Sequence, residues 1–287
     1  MTLPVTTEMI ERTATALATG GWSFTPRQLY YATCAAAEAP PSASTANGAM
    51  ALGALLALVA LILIHVPVAF VALLVLAGLL ILAGAIARLT LRPLPGRPLA
   101  ISFAEFQRLL AGLTPPGLVD PVTWTQTPAP GAPILVCDTA DAAAAVGANL
   151  ARAELEAAVQ VAAHAASLEG ASVTALHDAS PRGCSLPLEL RDARADVLDA
   201  GLRPRWVDDP AFQVLEGAPA RLPRDLSPLL DDDEIGWLAS GRRVELAVLP
   251  PERLMRLVRA ALAERKAHPD ATGTDAPGLL PSLPALP

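Results

Sequence analysis

The chain has 287 residues, of which 53% are hydrophobic and 17% charged, with a net charge of −7. This length allows one or two domains, and so apolar a composition argues against an ordinary water-soluble protein and indicates a membrane segment. The three cysteines include no CxxC pair and the four histidines show no ligand spacing, which argues against a zinc site or a disulfide framework.

Two short helices are predicted near the amino terminus. Apolar residues over 5–18 recur with helical periodicity, and the tetrapeptide TPRQ at 25–28 has the form of a helix start. Its threonine can cap the helix, its proline fits the first turn, and its glutamine can complete a capping box. We therefore expect residues 1–38 to form an N-terminal helical segment similar to half of a helix-turn-helix.

The next feature is a run of 49 residues, from Ala39 to Ala87, that contains no Asp, Glu, Lys or Arg. One bilayer span needs about 20 apolar residues, so this run is long enough for two, and a break at Pro67 divides it. Residues 48–88 are therefore predicted to form a two-helix transmembrane hairpin. The alternative is a pair of helices buried in a soluble core, which so long an uncharged run disfavours.

Arginines at 88, 92 and 97 follow the second apolar segment, and positive charge favours the cytoplasmic side of a membrane. A hairpin then places both termini in the cytoplasm, with the protein in the inner membrane of a bacterial cell and the lipid bilayer as a partner. Gly53 and Ala57 form a small-xxx-small pair, which lets helices pack closely within the hairpin or in a homo-oligomer.

Residues 101–130 are predicted to form a helix, opened by a capping box at Ser102 and Glu105, followed by a proline-rich linker. Strand and helix patterns then alternate over 131–266, which is typical of an α/β domain with a mostly parallel sheet flanked by helices. The strands are expected at 133–138, 157–162, 171–178 and 204–209, and the helices at 139–155, 186–200, 226–239 and 251–266. The proline- and glycine-rich tail, 267–287, is expected to be disordered.

Acidic residues come directly after the first and third of these strands. In parallel sheets ligands bind beyond the carboxyl ends of the strands, and Asp138 and Asp178 both fall there. They are candidate ligands for Mg²⁺, which takes one or two carboxylates together with water and phosphate oxygens. The alternative is structural, because aspartate is also common in turns and at helix starts.

Several motifs, taken in order, resemble one family. FTPRQLYYA at 24–32 resembles the Arg-x-x-Tyr-Tyr helix of the A subunit of type IIB topoisomerases (topoisomerase VI). PILVCD at 133–138 and ALHDASPRG at 175–183 resemble the Toprim fold, whose members carry a Glu after the first strand and Asp-x-Asp-Pro-x-Gly after a later one. The segments at 200–209 and 225–258 resemble the later part of those subunits. The chain is interpreted as a degenerate relative with an inserted transmembrane hairpin.

The resemblance implies a catalytic tyrosine that attacks a DNA phosphodiester beside a magnesium-binding acidic cluster. Carried over residue by residue, Tyr31 is the candidate nucleophile, Arg27 its neighbour on the same helix, and Asp138 and Asp178 the metal ligands. Ser180 stands where the family has its second aspartate. Losing that carboxylate weakens any magnesium site.

Charge helps to choose between the functions that remain. Residues 101–287 contain 16 basic and 25 acidic residues, a net charge of −9, whereas duplex binding relies on neutralising phosphates with cations. We therefore expect a membrane-tethered, non-catalytic Toprim-like module that binds or scaffolds a protein partner, without a cofactor. The alternatives are magnesium-dependent cleavage of nucleic acid at the membrane and a generic two-span membrane protein, so whether the chain is an enzyme stays open.

Overall fold

The computed structural model describes residues 4–38, 51–59, 67–90, 99–127, 129–162, 168–193, 195–207, 212–223, 226 and 229–267. The chain divides into two compact units, one of Met1–Leu3 with Ala37–Leu94 and one of Pro4–Ala36 with Pro95–Pro287. The predicted disorder of the tail concerns residues that lie, from 268 onward, outside the described ranges.

Helices and strands both occur in the larger unit, whereas the smaller unit contributes the helices α3 and α4. The helices are α1 Thr7–Leu17, α2 Pro26–Glu38, α3 at 51–59, α4 Pro67–Thr90, α5 Phe103–Leu110, α6 Ala140–Gly147, α7 Pro181–Asp192, α8 Asp232–Ala239 and α9 Pro251–Ala267. The strands are β1 Ile134–Cys137, β2 Ala158–Val161, β3 Ser172–Leu176, β4 Asp196–Asp199, β5 Leu215–Glu216 and β6 Arg242–Arg243. Short 3₁₀ helices lie at Pro204–Trp206 and Leu246–Val248.

Four of these strands form a parallel sheet in the order β2-β1-β3-β4, which confirms the predicted α/β class. From β1 the chain moves outward to β2, then returns to the other side of β1 for β3 and β4. The direction of winding thus reverses between β1 and β3, and a crevice opens beyond the carboxyl ends of strands at such a point.

Both faces of this sheet are buried, as parallel sheets require. Side chains alternate along a strand, so Leu135 lies in one apolar cluster and its neighbour Val136 in another. The first cluster includes residues of α6 and α9, and the second includes Leu186 and Leu190 of α7. The strands are therefore fixed from both sides, which holds the residues at their carboxyl ends in place.

Two predicted elements of the sheet domain are wrong. The helix predicted over 186–200 ends at Asp192, and the alternating segment after it forms β4, paired with β3. The strand predicted at 204–209 contains instead the 3₁₀ turn Pro204–Trp206. At β4 pairing with β3 decided the structure, and local pattern alone did not show which segment would find a partner.

The predicted transmembrane hairpin over 48–88 is also wrong. Among the residues that the structure describes, no helix is long and apolar enough to cross a membrane.

The smaller unit nevertheless has a close helix contact at one small residue. A Cβ atom built on Gly53 would lie 2.7 Å from Cγ1 of Ile81 and 3.0 Å from the carbonyl oxygen of Ala77. Because glycine has no side chain, α3 and α4 approach each other at this point.

Candidate functional site

The candidate site lies at the carboxyl ends of β1 and β3, where the winding of the sheet reverses. Asp138 directly follows β1, and Asp178 comes two residues after β3. An isolated antiparallel bridge joins Ala179 to Val244 just beyond them. The two sequence-predicted metal ligands are therefore brought to the same place, and the segment after Val244 lies next to them.

Backbone amides occupy one oxygen of each carboxyl group. The N–H of Asp178 donates to Oδ2 of Asp138 at 2.9 Å, and the N–H of Leu246 donates to Oδ1 of Asp178 at 2.6 Å. The other oxygen of Asp138, Oδ1, is buried and has no hydrogen-bond partner among the described residues. Each aspartate thus fastens a neighbouring segment to the edge of the sheet.

A glycine lets α7 begin against these acids. A Cβ atom on Gly183 would lie 2.3 Å from the carbonyl oxygen of Asp178 and 3.0 Å from Oδ2 of Asp138. Ser180 caps this helix, since its hydroxyl oxygen accepts a hydrogen bond of 3.0 Å from the N–H of Gly183. Ser180, which the sequence resemblance aligned with a second aspartate, is therefore engaged as a helix cap.

Burial makes both aspartates hard to ionise. Desolvation raises the pKa of Asp138 above its ordinary value. Desolvation and the charge of Asp138 together raise the pKa of Asp178 to about 8. Two carboxyl groups that interact in this way titrate as a pair, so near neutral pH the pair keeps at least one proton.

The two predicted catalytic residues meet at a third acid, Glu245. The guanidinium of Arg27 contacts Oε2 of Glu245 at 2.7 Å and lies over the ring of Phe103, 4.7 Å from its centroid. Tyr31 also lies near this acid, and burial followed by the charge of Glu245 holds the pKa of Tyr31 far above its usual range. Tyr31 itself is only 2% exposed.

Further contacts hold α2 on the same edge. Thr25 and Gln28 form the expected reciprocal cap, with hydrogen bonds of 3.1 and 3.3 Å. The hydroxyl of Thr25 donates to Asp141 at 2.8 Å, and the side-chain amide of Gln28 donates to the carbonyl of Leu249 at 3.0 Å. Burial raises the pKa of Asp141 to about 6.

Sequence reasoning missed Glu245 and Asp141. Glu245 lies in the stretch VELAVL at 244–249, which entered the family resemblance without a role. Asp141 lies in the first turn of α6, where an acid is ordinarily explained by the helix dipole. Their long-range partners on α2 could not be found from a single sequence, because more than 100 residues separate Thr25 from Asp141.

A buried ionic network lies beside the acid pair. His177 is 1% exposed. Its Nε2 is 2.9 Å from Oδ1 of Asp199, its Nδ1 is 2.9 Å from the carbonyl of Asp178, and Oδ2 of Asp199 is 3.0 Å from Arg203. Adjacent strand residues face opposite sides, so the sequence predicts that the side chain of Asp178 does not pair with His177. In the structure the partner of His177 is Asp199, on the neighbouring strand.

The partners of His177 indicate that it is charged. A carbonyl and a carboxylate only accept hydrogen bonds, so both ring nitrogens must carry a proton to satisfy them. Burial acts to lower the pKa of His177, but the adjacent Asp199 raises it overall. Burial likewise acts to raise the pKa of Asp199, yet His177 and Arg203 bring it down to about 2.

The side chains at the edge do not fit a catalytic magnesium ion. Two of the four oxygens of Asp138 and Asp178 are taken by amides, and Ser180 is a cap. Across the described residues there is no group of three or more His, Cys, Asp or Glu side chains that could hold a metal ion. A buried pair that keeps a proton also opposes cation binding.

Comparison with known proteins gives no relative. No family model, no curated protein and no solved structure matches the chain.

Proposed function

We propose that the α/β unit is a non-catalytic binding or scaffold module. The observation that supports this most directly is the position of Tyr31, which is buried and whose pKa is raised by burial and by the nearby Glu245. A nucleophilic tyrosine must reach a substrate phosphorus atom and lose its proton. Here the carboxylate beside the hydroxyl disfavours the phenolate, and the surrounding core excludes a substrate.

The acids at the sheet edge also support a structural role. Asp138 and Asp178 connect β1, β3 and the segment at 244–249 through backbone amides. Glu245 holds Arg27 and Tyr31 of α2 against that segment. The crevice that would receive a ligand in other parallel sheets is therefore lined by contacts that the chain makes with itself.

The distribution of charge disfavours nucleic acid as the ligand. Residues 101–287 carry a net charge of −9. Arg27 and Arg203 are both paired with acids, at 2.7 and 3.0 Å. Cations that already neutralise protein carboxylates contribute little to binding phosphates. A protein partner or a second copy of the chain is therefore a better candidate ligand for the α/β unit than nucleic acid.

The module is expected to show no nicking activity toward supercoiled DNA at any magnesium concentration. Wild-type protein and the Tyr31→Phe variant should behave alike in a magnesium titration read by gel. Phenylalanine keeps the buried ring and removes only the hydroxyl, so the variant should remain folded. Nicking by the wild type that Tyr31→Phe abolishes would contradict the proposal.

One observation favours the alternative of magnesium-dependent phosphodiester cleavage. Arg27, Tyr31, Asp138 and Asp178, which the family resemblance singled out, lie far apart in sequence and yet meet around residues 245–246. The magnesium titration separates the two functions, and nicking that also disappears in Asp178→Asn would establish the enzyme.

We also propose that the smaller unit contacts lipid at the inner membrane. It exposes many large apolar side chains, among them Leu55 and Leu58 of α3 and Val71, Val75, Leu79 and Leu82 of α4, all between 56% and 59% exposed. Exposed apolar surface of this extent is typical of protein or membrane contact. This proposal concerns contact with lipid and does not depend on a spanning helix.

Wild-type protein is expected to float with lipid vesicles in a density gradient. Replacing Leu55 and Leu58 by aspartate should lower the bound fraction at least several-fold, because charged side chains are costly to bury in hydrocarbon. Val122→Asp is the matched control, since Val122 is 89% exposed and lies in the other unit. Equal flotation of all three proteins would count against lipid contact.

A further inference from the structure

The outer edge of the sheet at β2 is occupied by one side chain. The N–H of Val159 donates to Oε1 of Gln126 at 2.8 Å, and Nε2 of Gln126 donates to the carbonyl of Ala157 at 2.7 Å. Residue Ala158 between them faces inward, because its own N–H donates to the carbonyl of Pro133 at 2.8 Å. The carboxamide therefore binds the two backbone groups that point away from β1.

These two bonds are those of a strand residue. In a parallel ladder, a residue donates to the carbonyl before the residue it faces and accepts from the N–H after it. Gln126 does both with its side chain, opposite Ala158. Its carboxamide thus makes the two hydrogen bonds that one residue of a fifth strand would make.

The segment that carries Gln126 is anchored nearby. The indole of Trp124 fills the space over Gly147 at the end of α6, where a Cβ atom would lie only 1.9 Å from Cζ2 of the indole. The N–H of Trp124 donates to the carbonyl of Asp120 at 3.0 Å. A side chain at residue 147 would displace Trp124, and Gln126 two residues later would have to move with it.

Nothing within β2 itself guards the edge. The strand reads AVQV and contains neither a charged residue nor a proline, which are the usual devices against edge-to-edge pairing. Beside Gln126 an open cavity of about 620 Å³ reaches Ala132, Leu155 and Ala157. This cavity adjoins the chain just before β2 and is not lined by the strand itself.

We propose that Gln126 blocks the β2 edge and prevents it from pairing with β2 of a second copy of the chain. Two copies related by a two-fold axis would join these identical strands antiparallel and continue the sheet across the dimer. A second copy is the proposed occupant because β2 contains no charged residue that would repel an identical strand. Displacement of Gln126 then switches the unit from a closed to an associating state.

The test is sedimentation velocity on the full chain over a range of concentrations. Gln126→Leu should raise the self-association constant at least about tenfold over wild type, the ratio to which the net contribution of two hydrogen bonds corresponds. Thr127→Ala, at an exposed neighbouring residue, is the matched control and should behave as wild type. Gln126→Leu that sediments like Thr127→Ala would overturn the proposal.

Two further variants locate the effect on the edge. Gly147→Val keeps glutamine at residue 126 but displaces Trp124, which anchors the segment that carries Gln126. This variant should therefore also increase self-association. Adding Val161→Pro to Gln126→Leu removes an outward-facing N–H and should restore the wild-type distribution. Association that survives Val161→Pro would show that another surface pairs, and would overturn the assignment to β2.

Amide exchange on the wild-type protein tests the same contact if a variant does not fold. The N–H of Val159 should exchange as slowly as that of Ala158, which lies in the ladder with β1. Rapid exchange at Val159 would show that Gln126 does not hold the edge, and would overturn the proposal without any substitution.

Discussion

Replacing Asp199 by alanine is expected to lower the free energy of unfolding by about 3–5 kcal/mol, the range for removing one partner of a buried ion pair. Asp199 accepts from His177 at 2.9 Å and from Arg203 at 3.0 Å, and all three side chains are buried. The variant would leave an imidazolium and a guanidinium facing each other without an anion between them. Neither can return to water without opening the end of β4.

The pairing of Asp199 with Arg203 and His177 also predicts how the free energy of unfolding changes at low pH. The folded pKa of Asp199 is about 2, below its ordinary value of 3.8. A depressed carboxyl pKa stabilises the fold above the unfolded value and loses that contribution as pH falls through the folded value. The wild type should therefore lose this stabilisation as pH decreases from about 4 to about 2, and Asp199→Ala should show no such loss.

Chemical denaturation read by circular dichroism measures both effects. Asp192→Ala removes the same charge from an exposed residue at the end of α7 and should change stability by only a few tenths of a kcal/mol. A loss below about 1 kcal/mol in Asp199→Ala would mean that water reaches the network and screens it.

The parts of this protein that sequence predicts well are those set by local chemistry. Periodicity indicates the parallel α/β class, and cap residues locate helix starts at Thr25 and Ser102. These features depend on neighbours within three or four residues. A single sequence contains them in full.

The candidate site is only partly predictable from sequence, because some of its contacts join residues that are far apart in the chain. That Asp138 and Asp178 share an edge follows from strand ends alone. That Glu245 joins Arg27 and Tyr31 depends on packing α2 against a segment some 220 residues later, which no local pattern encodes. The same holds for β4, because local pattern assigns its residues to the end of a helix and only pairing with β3 makes them a strand.

The free energy of unfolding is expected to fall as pH rises from about 4 to 8, and Asp178→Asn should reduce that fall. Asp178 has a folded pKa of about 8 against an ordinary value of 3.8, so the folded chain keeps a proton that the unfolded chain has lost. Stability then declines by up to about 1.4 kcal/mol per pH unit for this one proton. Asparagine resembles the protonated acid and can still accept from the N–H of Leu246.

Asp178→Asn should therefore match the wild type near pH 4 and exceed it near pH 8. Asp138, Asp141 and His177 also have raised pKa values and lose stability in the same direction, so some slope should remain in the variant. Asp233→Asn, on an exposed residue of α8, is the control and should leave the slope unchanged. Equal slopes in Asp178→Asn and wild type would mean that Asp178 ionises normally.

Repeating this measurement with Mg²⁺ distinguishes between the two proposed functions. An ion held by Asp138 and Asp178 would stabilise the ionised pair, raise the unfolding free energy at pH 8 and flatten the slope. If the acids are structural links between β1, β3 and the segment at 244–249, millimolar Mg²⁺ should leave the wild-type slope unchanged. A slope that magnesium removes in the wild type, with no effect on Asp178→Asn, would favour the enzyme over the scaffold.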